Sequence, residues 1–422
     1  MKNLTNIDKF FVVSILIGVF FLRYIKLMFV LWYIPELIVL CYVIVQTLKK
    51  EIKVSRWLKI WLGITICYLF LIVALNIYKF GVGIVFIENI LMIFMPAIIL
   101  IYLAYLTSSY SFDDLFDTGK KILVFLNFYF WLNVPIIILQ FVTGTFMIKR
   151  FLSWGKYDFD HMTGLIGPFG TGILNVFWCS LLIGNLFIFL ITKKRHWLFS
   201  FLIQIPTMIV LSYFNENKSF IPTALLFVTV FFTYSFLVKN FTFKSLLKLT
   251  SIILIGILFC FAVYFSVDII KTQIDKLFVL ANQLIYGIPD TNNERAYLNY
   301  LAFQKFDAIH LGEGINSVDF NNQKIHPNLG INSMSLILIH GGIWYFIAVV
   351  NFYSTLAVIV IKKGFDLNTV VIYVVFIVIF GFLSIITQPF RDHYIISMIS
   401  LLALYVTLFY RYKNENSGFL SN

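Results

Sequence analysis

Apolar runs of about 20 residues recur along almost the whole chain, and that recurrence limits the fold more than any other feature. A helix needs about 20 apolar residues to cross the hydrocarbon core of a bilayer. On that criterion the runs at 9–22, 28–48, 57–77, 82–106, 121–142, 172–192, 197–213, 220–238, 246–266, 335–361, 369–388 and 392–410 each predict a span. The expected fold is an all-α polytopic membrane protein with about 12 transmembrane helices. It forms a single integral membrane domain over residues 1–422. The span at 335–361 is interrupted by Gly341-Gly342, so its first part reads as a separate short helix entering the membrane. One polar stretch, 267–330, stands between two spans as a large loop late in the chain. Long loops are uncommon in compact domains unless they have a use.

Composition agrees. The chain is 60% hydrophobic and only 12% charged, against roughly 25% charged for an ordinary soluble domain. The first apolar run has no small-residue cleavage site after it and reads as a retained span. Cys41, Cys67, Cys179 and Cys260 all fall inside apolar runs and read as small buried hydrophobes, not as a disulfide framework or metal site. The formal charge is +12, but the cations are scattered between spans, which argues for membrane topology and against a nucleic-acid partner.

Those cations also orient the chain. Lys49, Lys50, Lys53, Arg56 and Lys59 share one connection, Lys193, Lys194 and Arg195 another, Lys239, Lys244 and Lys248 a third, and Lys362 and Lys363 a fourth. With twelve spans all four lie on one side, which the positive-inside rule makes cytoplasmic. Both termini are then cytoplasmic and the 267–330 loop is extracytoplasmic. The acidic 111–117 connection runs against this trend.

Most residues capable of chemistry fall on the outer side. Thr291-Asn292-Asn293-Glu294 fits a capping box, which places Arg295 in the first turn of a helix. A cation there opposes the helix dipole, and a bound phosphate would reconcile the two. Pairing with Glu294 or Asp290 at the surface is the competing reading. His326 precedes Pro327 just before the chain returns to the membrane, where a neutral imidazole suits a general base. An exposed loop histidine is the plainer alternative. Lys218 stands in a short outer turn as a phosphate contact or a snorkelling side chain. Arg150, His161, Arg391 and His393 sit near span ends with the same ambiguity. Glu88 and, more weakly, Glu36 are intramembrane carboxylates and therefore functional candidates. His340 beside the glycine break reads as structural, and His310 precedes a Gly-x-Gly turn. Asp158-Phe159-Asp160 formally fits a metal-holding Asp-x-Asp, but solvated carboxylates explain it better. There is no phosphate-binding glycine loop, zinc-spaced cluster or Gly-x-Ser-x-Gly.

Four stretches in order resemble the Wzy-type polysaccharide polymerases and related O-antigen ligases. They are His161-Met162-Thr163-Gly164-Leu165-Ile166-Gly167-Pro168; Asn217-Lys218-Ser219; Glu294-Arg295 with its helix and Leu311-Gly312-Glu313-Gly314-Ile315-Asn316; and His326-Pro327-Asn328 followed by Gly341-Gly342-Ile343. The chain departs from the pattern in having Lys218 where an arginine is usual, and Pro327 between His326 and Asn328.

The resemblance implies a GT-C-like, metal-independent glycosyltransferase without cofactor in the bacterial cytoplasmic membrane. Its donor would be a glycan on undecaprenyl diphosphate and its acceptor a sugar hydroxyl on a second lipid-linked unit. A chain-length regulator and a flippase would be its partners. Arg295, Lys218, Arg150 and Arg391 would hold the diphosphate, His326 would act on the acceptor hydroxyl, and Glu294, His161 and Glu88 would contact sugar. The alternatives are an O-antigen ligase with a lipid A-core acceptor, a lipid-linked oligosaccharide flippase or transporter, and a non-catalytic membrane scaffold.

Overall fold

A computed structural model describes residues 4–22, 33–49, 54–143, 162–167, 170–215, 217, 219–227, 275, 302, 309–317, 332–362 and 364–418, and no strand occurs among them. α1 (Asn6–Ile17) runs into a single π turn, Gly18–Leu22. Then come α2 (Tyr33–Lys49), α3 (Arg56–Phe80), α4 (Ile84–Phe94), α5 (Ala97–Ser109) and α6 (Phe112–Thr143). After a 3-10 turn at Gly164–Ile166 follow α7 (Thr171–Thr192) and α8 (Arg195–Phe214). The last described helices are α9 (Ser333–Ile361), α10 (Leu367–Ile386) and α11 (His393–Gly418).

Eight helices among the described residues are long and apolar enough to cross a membrane, α4 and α5 counting as one span. The chain is therefore an all-helical, multi-pass membrane protein. These eight coincide with the expected spans from 57–77 to 197–213 and from 335–361 to 392–410. The run at 28–48 appears as α2, whose apolar part Ile34–Leu48 is shorter, and 9–22 as α1 with its π turn. Of the expected spans at 220–238 and 246–266, only 220–227 is described, and it is helical.

Local chemistry sets several boundaries. Thr5 caps α1 by accepting from the Asp8 N–H at 3.2 Å, and Ser55 caps α3 by accepting from Leu58. Pro96, lacking an N–H, separates α4 from α5 within one span. The expected break in the 335–361 span is present: Gly341 has φ −155° and ψ 16°, and Gly342 has φ 67° and ψ −170°. Only glycine adopts the second pair without strain.

Burial divides the bundle. α11 lies along α7 and α5, while α9 lies along α10, α3 and α5. The most apolar stretches of α7 and α11 are 83% and 89% buried, against 22% for α3, so α7 and α11 are central and α3 peripheral. Gly184 of α7 makes this close fit possible, because a Cβ there would come within 3.0 Å of the Tyr405 ring and Leu123. Phe10, Trp57, Phe70, Tyr78, Phe128 and Phe199 are exposed around the perimeter, as suits side chains that face lipid. Cys41 and Cys67 are exposed on the same perimeter, contrary to expectation, and only Cys179 of the described cysteines is buried. In lipid an exposed thiol has no solvation reason to turn inward.

One set of polar contacts inside the apolar layer is made by neutral amides. Asn127 and Asn185 donate to each other at 3.0 Å, Asn185 donates to Gln204 at 2.9 Å, and Gln204 donates to Asn127 at 2.6 Å, tying α6, α7 and α8 together. Alternating helix directions give the bundle two ends. One gathers residues 80–84, 162–167, 170–172, 215, 217, 219, 309–317, 332–335 and 387–393, and is called the loop-bearing end below. The opposite end holds Asp8, which accepts from Tyr102 at 3.1 Å and also from Tyr110, and the Lys362–Asp366 ion pair.

Candidate functional site

The loop-bearing end is built around the glycine break of α9. There the Gly-x-Gly turn at 312–314 docks against the helix carbonyls. Glu313 N–H donates to Ile339 O at 2.8 Å. Gly312 (φ 60°) comes so close that a Cβ would lie 2.7 Å from Leu338 O and closer still to Ile339 O. Two asparagines from the flanking spans hold the turn. Asn76 of α3 accepts from Ile315 N–H at 2.7 Å and donates to His340 O at 3.2 Å. Asn89 of α4 donates to Ile315 O at 2.9 Å and lies 3.4 Å from His340 Nε2. His340 is buried and serves this joint, as its position beside the break suggested.

A second seam joins the Thr163-Gly164 stretch to α6. Gly164 N–H donates to Gln140 Oε1 at 2.9 Å, and Gln140 donates back to Gly164 O at 3.3 Å. Asn133 accepts from Leu165 N–H at 2.6 Å and donates to Thr163 O at 3.2 Å. Gly164 has φ 66°, and a Cβ would overlap the Asn133 amide. Nearby, Asn175 of α7 donates to Ser219 Oγ at 2.9 Å and exchanges hydrogen bonds with Asn217, while Asn215 donates to Met162 O. Asn215, two residues before the second resembling stretch, thus reaches the first, while Asn217 and Ser219 of the second are held by Asn175 of α7.

The turn at 387–393 completes this end. His393 Nδ1 lies 2.5 Å from Glu36 Oε1, and both side chains are about 5% exposed. With Glu36 ionised its oxygen can only accept, so Nδ1 carries the hydrogen and Nε2 is left for another partner. Arg391, two residues before, is buried with Nη2 2.6 Å from Met92 Sδ. The hydroxyl of Tyr353 donates to Ile93 O at 2.6 Å and lies 3.4 Å from Phe390 O. A buried acid–base pair therefore pins the turn that carries Arg391. Arg391 and His393 are not the snorkelling side chains that their place at span ends suggested, because α2, α4 and α9 cover them. Glu36, the weaker candidate in the sequence, is buried and paired with His393. Glu88 is half-buried on α4.

Arg295, His326, Lys218, Arg150, His161, Glu294 and the Asp158–Asp160 pair lie outside the described residues. Asn76, Asn89, Gln140 and Asn175 escaped notice in the sequence. Each stands in an apolar run, Asn89 beside Glu88 and the other three alone, and that setting was the available signal. The sequence matches no known family profile, and no curated protein matches it.

Proposed function

We propose that the chain is a metal-independent glycosyltransferase of the polysaccharide polymerase type, acting at the outer face of a bacterial cytoplasmic membrane. The observation that supports this reading best is the seating of the Gly-x-Gly turn in the α9 glycine break. It ties the 309–317 stretch of the long polar segment to the bundle end that also carries the Thr163 seam, the Asn217 turn and Arg391. The four resembling stretches, far apart in sequence, all contribute residues to that one end.

In the proposed reaction an acceptor sugar hydroxyl attacks the anomeric carbon of a glycan carried on undecaprenyl diphosphate. The new glycosidic C–O bond forms as the bond to the diphosphate oxygen breaks. Arg295, Lys218, Arg150 and Arg391 stabilise the charge gathering on the leaving diphosphate. His326 takes the hydroxyl proton, and Glu294, His161 and Glu88 contact the sugars. The prenyl tail lies along the apolar perimeter.

Purified protein given undecaprenyl-diphosphate-linked repeat units tests this directly. A ladder of longer glycans is expected, and its loss in the Arg295→Ala, Lys218→Ala double variant. Unchanged units, or movement across vesicles without extension, would refute the polymerase reading. Transfer only to a lipid A-core acceptor would make it a ligase.

A further inference from the structure

The first helix is fastened at both ends and stands off from the bundle between them. At one end Asp8 accepts from the Tyr102 and Tyr110 hydroxyls. At the other, in the π turn, Phe20 O accepts from the Tyr129 hydroxyl at 3.1 Å. The Phe20 ring lies edge-on to Phe125, Tyr129 and Phe177, with centroids 5.6, 4.5 and 5.3 Å away. Between these fastenings no other helix packs its backbone closely along α1 among the described residues. The gap is a half-enclosed crevice of about 70 Å³, walled by Ile15 and Leu16 of α1, Ile99 and Leu103 of α5, Ile122 of α6 and Leu401 of α11. It follows α5 from Ile99 to Leu106, about 10 Å at the helical rise.

This crevice suits hydrocarbon. Of its polar lining residues, Tyr102, Thr118 and Ser397 bond to acceptors of the protein, and Ser400 Oγ has no partner among the described residues. A buried water needs about two to four polar partners, which one hydroxyl does not supply.

Ile15 and Ile99 also wall a second cavity of about 20 Å³, whose single polar lining residue is Glu36. The crevice therefore continues to Glu36, in the first turn of α2 at the loop-bearing end. Oε1 of this carboxylate is taken by His393, whereas Oε2 is buried without a hydrogen-bond partner among the described residues, and Glu36 is 4% exposed. An oxygen so placed lacks a donor. The cavity has room for about one water-sized group, which excludes a phosphate, and the carboxylate would repel one. Water again finds too few partners, because the other walls are Pro35 and aliphatic side chains. A hydroxyl at the end of a hydrocarbon chain needs only the one acceptor, and it arrives along the crevice.

We infer that the crevice beneath α1 binds a long-chain primary alcohol, with the tail between α1, α5, α6 and α11 and the hydroxyl donating to Glu36 Oε2. The site stands or falls independently of the transferase reading.

The full chain in phosphatidylcholine nanodiscs, irradiated with 1-hexadecanol carrying a mid-chain diazirine, tests the site. The methyl ether of the same probe keeps the tail and lacks the donor. Peptide mapping should place the label on residues 12–20 and 99–106, about tenfold more from the alcohol than from the ether. Leu103→Trp fills the crevice and should abolish that label. Glu36→Gln keeps an oxygen for His393 and turns an N–H₂ toward the cavity, where either probe can accept. Alcohol and ether should then label alike. The inference is overturned if the two probes label the parent equally, if the label falls elsewhere, if Leu103→Trp is labelled like the parent, or if Glu36→Gln still prefers the alcohol.

Discussion

Replacing Gly312 with alanine should release the Gly-x-Gly turn from the α9 break without unfolding the bundle. A left-handed backbone at a residue with a Cβ costs about 1–2 kcal/mol. The added carbon would also lie 2.7 Å from Leu338 O, and the carbonyl belongs to a helix that cannot yield. The turn must back away, breaking the 2.8 Å bond from Glu313 N–H to Ile339 O and the 2.7 Å bond from Ile315 N–H to Asn76. Each is worth about 1 kcal/mol net, so the local penalty is roughly 3–4 kcal/mol. At 1.4 kcal/mol per decade, the open population should rise on the order of 100-fold. Hydrogen exchange of the Glu313 and Ile315 amides, read by mass spectrometry in the opening-limited equilibrium regime, measures that population. Gly63→Ala is the control, because nothing lies within 4 Å of a Cβ at that position, and exchange at 313–315 should not change. Equal protection in Gly312→Ala and the parent would refute the docking argument.

Breaking the buried Glu36–His393 pair from one side should be costly. Glu36→Ala or His393→Ala is expected to destabilise by about 3–5 kcal/mol, and a double-variant cycle by scanning fluorimetry should show strong coupling, with additivity counting against the pair. Gln140→Leu leaves both the N–H and the C=O of Gly164 without their partner, and thermal unfolding should register a loss of about 2–4 kcal/mol. At the opposite end, burial works to raise the Asp366 pKa, but the Lys362 ammonium and the Thr369 N–H and hydroxyl outweigh it and hold the carboxyl below its usual value. A depressed folded-state pKa means stability present above the ordinary carboxylate range and lost as pH falls through the lowered value. Asp366→Asn should therefore lower the melting temperature at neutral pH and converge with the parent in acid; a constant gap across pH would contradict the linkage.

Long apolar runs made the helices readable because hydrocarbon tolerates little else, and the Gly341-Gly342 break was visible as two adjacent residues poor at holding a helix. The joint around that break was harder to foresee. Asn76 looks like an isolated polar residue in an apolar run and Asn89 sits in another beside Glu88, and their roles depend on a turn more than 200 residues away. Glu36 and His393 are separated by 357 positions, so neither carries a local sign of the other. Arg391 and His393 read as phosphate contacts or snorkelling side chains because span ends usually meet water, whereas packing by other helices buries them. Tertiary neighbours, not local propensity, decided which polar groups became buried.

The ring of three amides linking Asn127, Asn185 and Gln204 limits how this protein can move. Sliding any of the three helices by one turn, about 5.4 Å, would break at least two of the ring's four hydrogen bonds inside hydrocarbon. Those helices are geared to travel as one block. Any larger movement of the bundle has to hinge elsewhere, and α9 is already interrupted by its glycines.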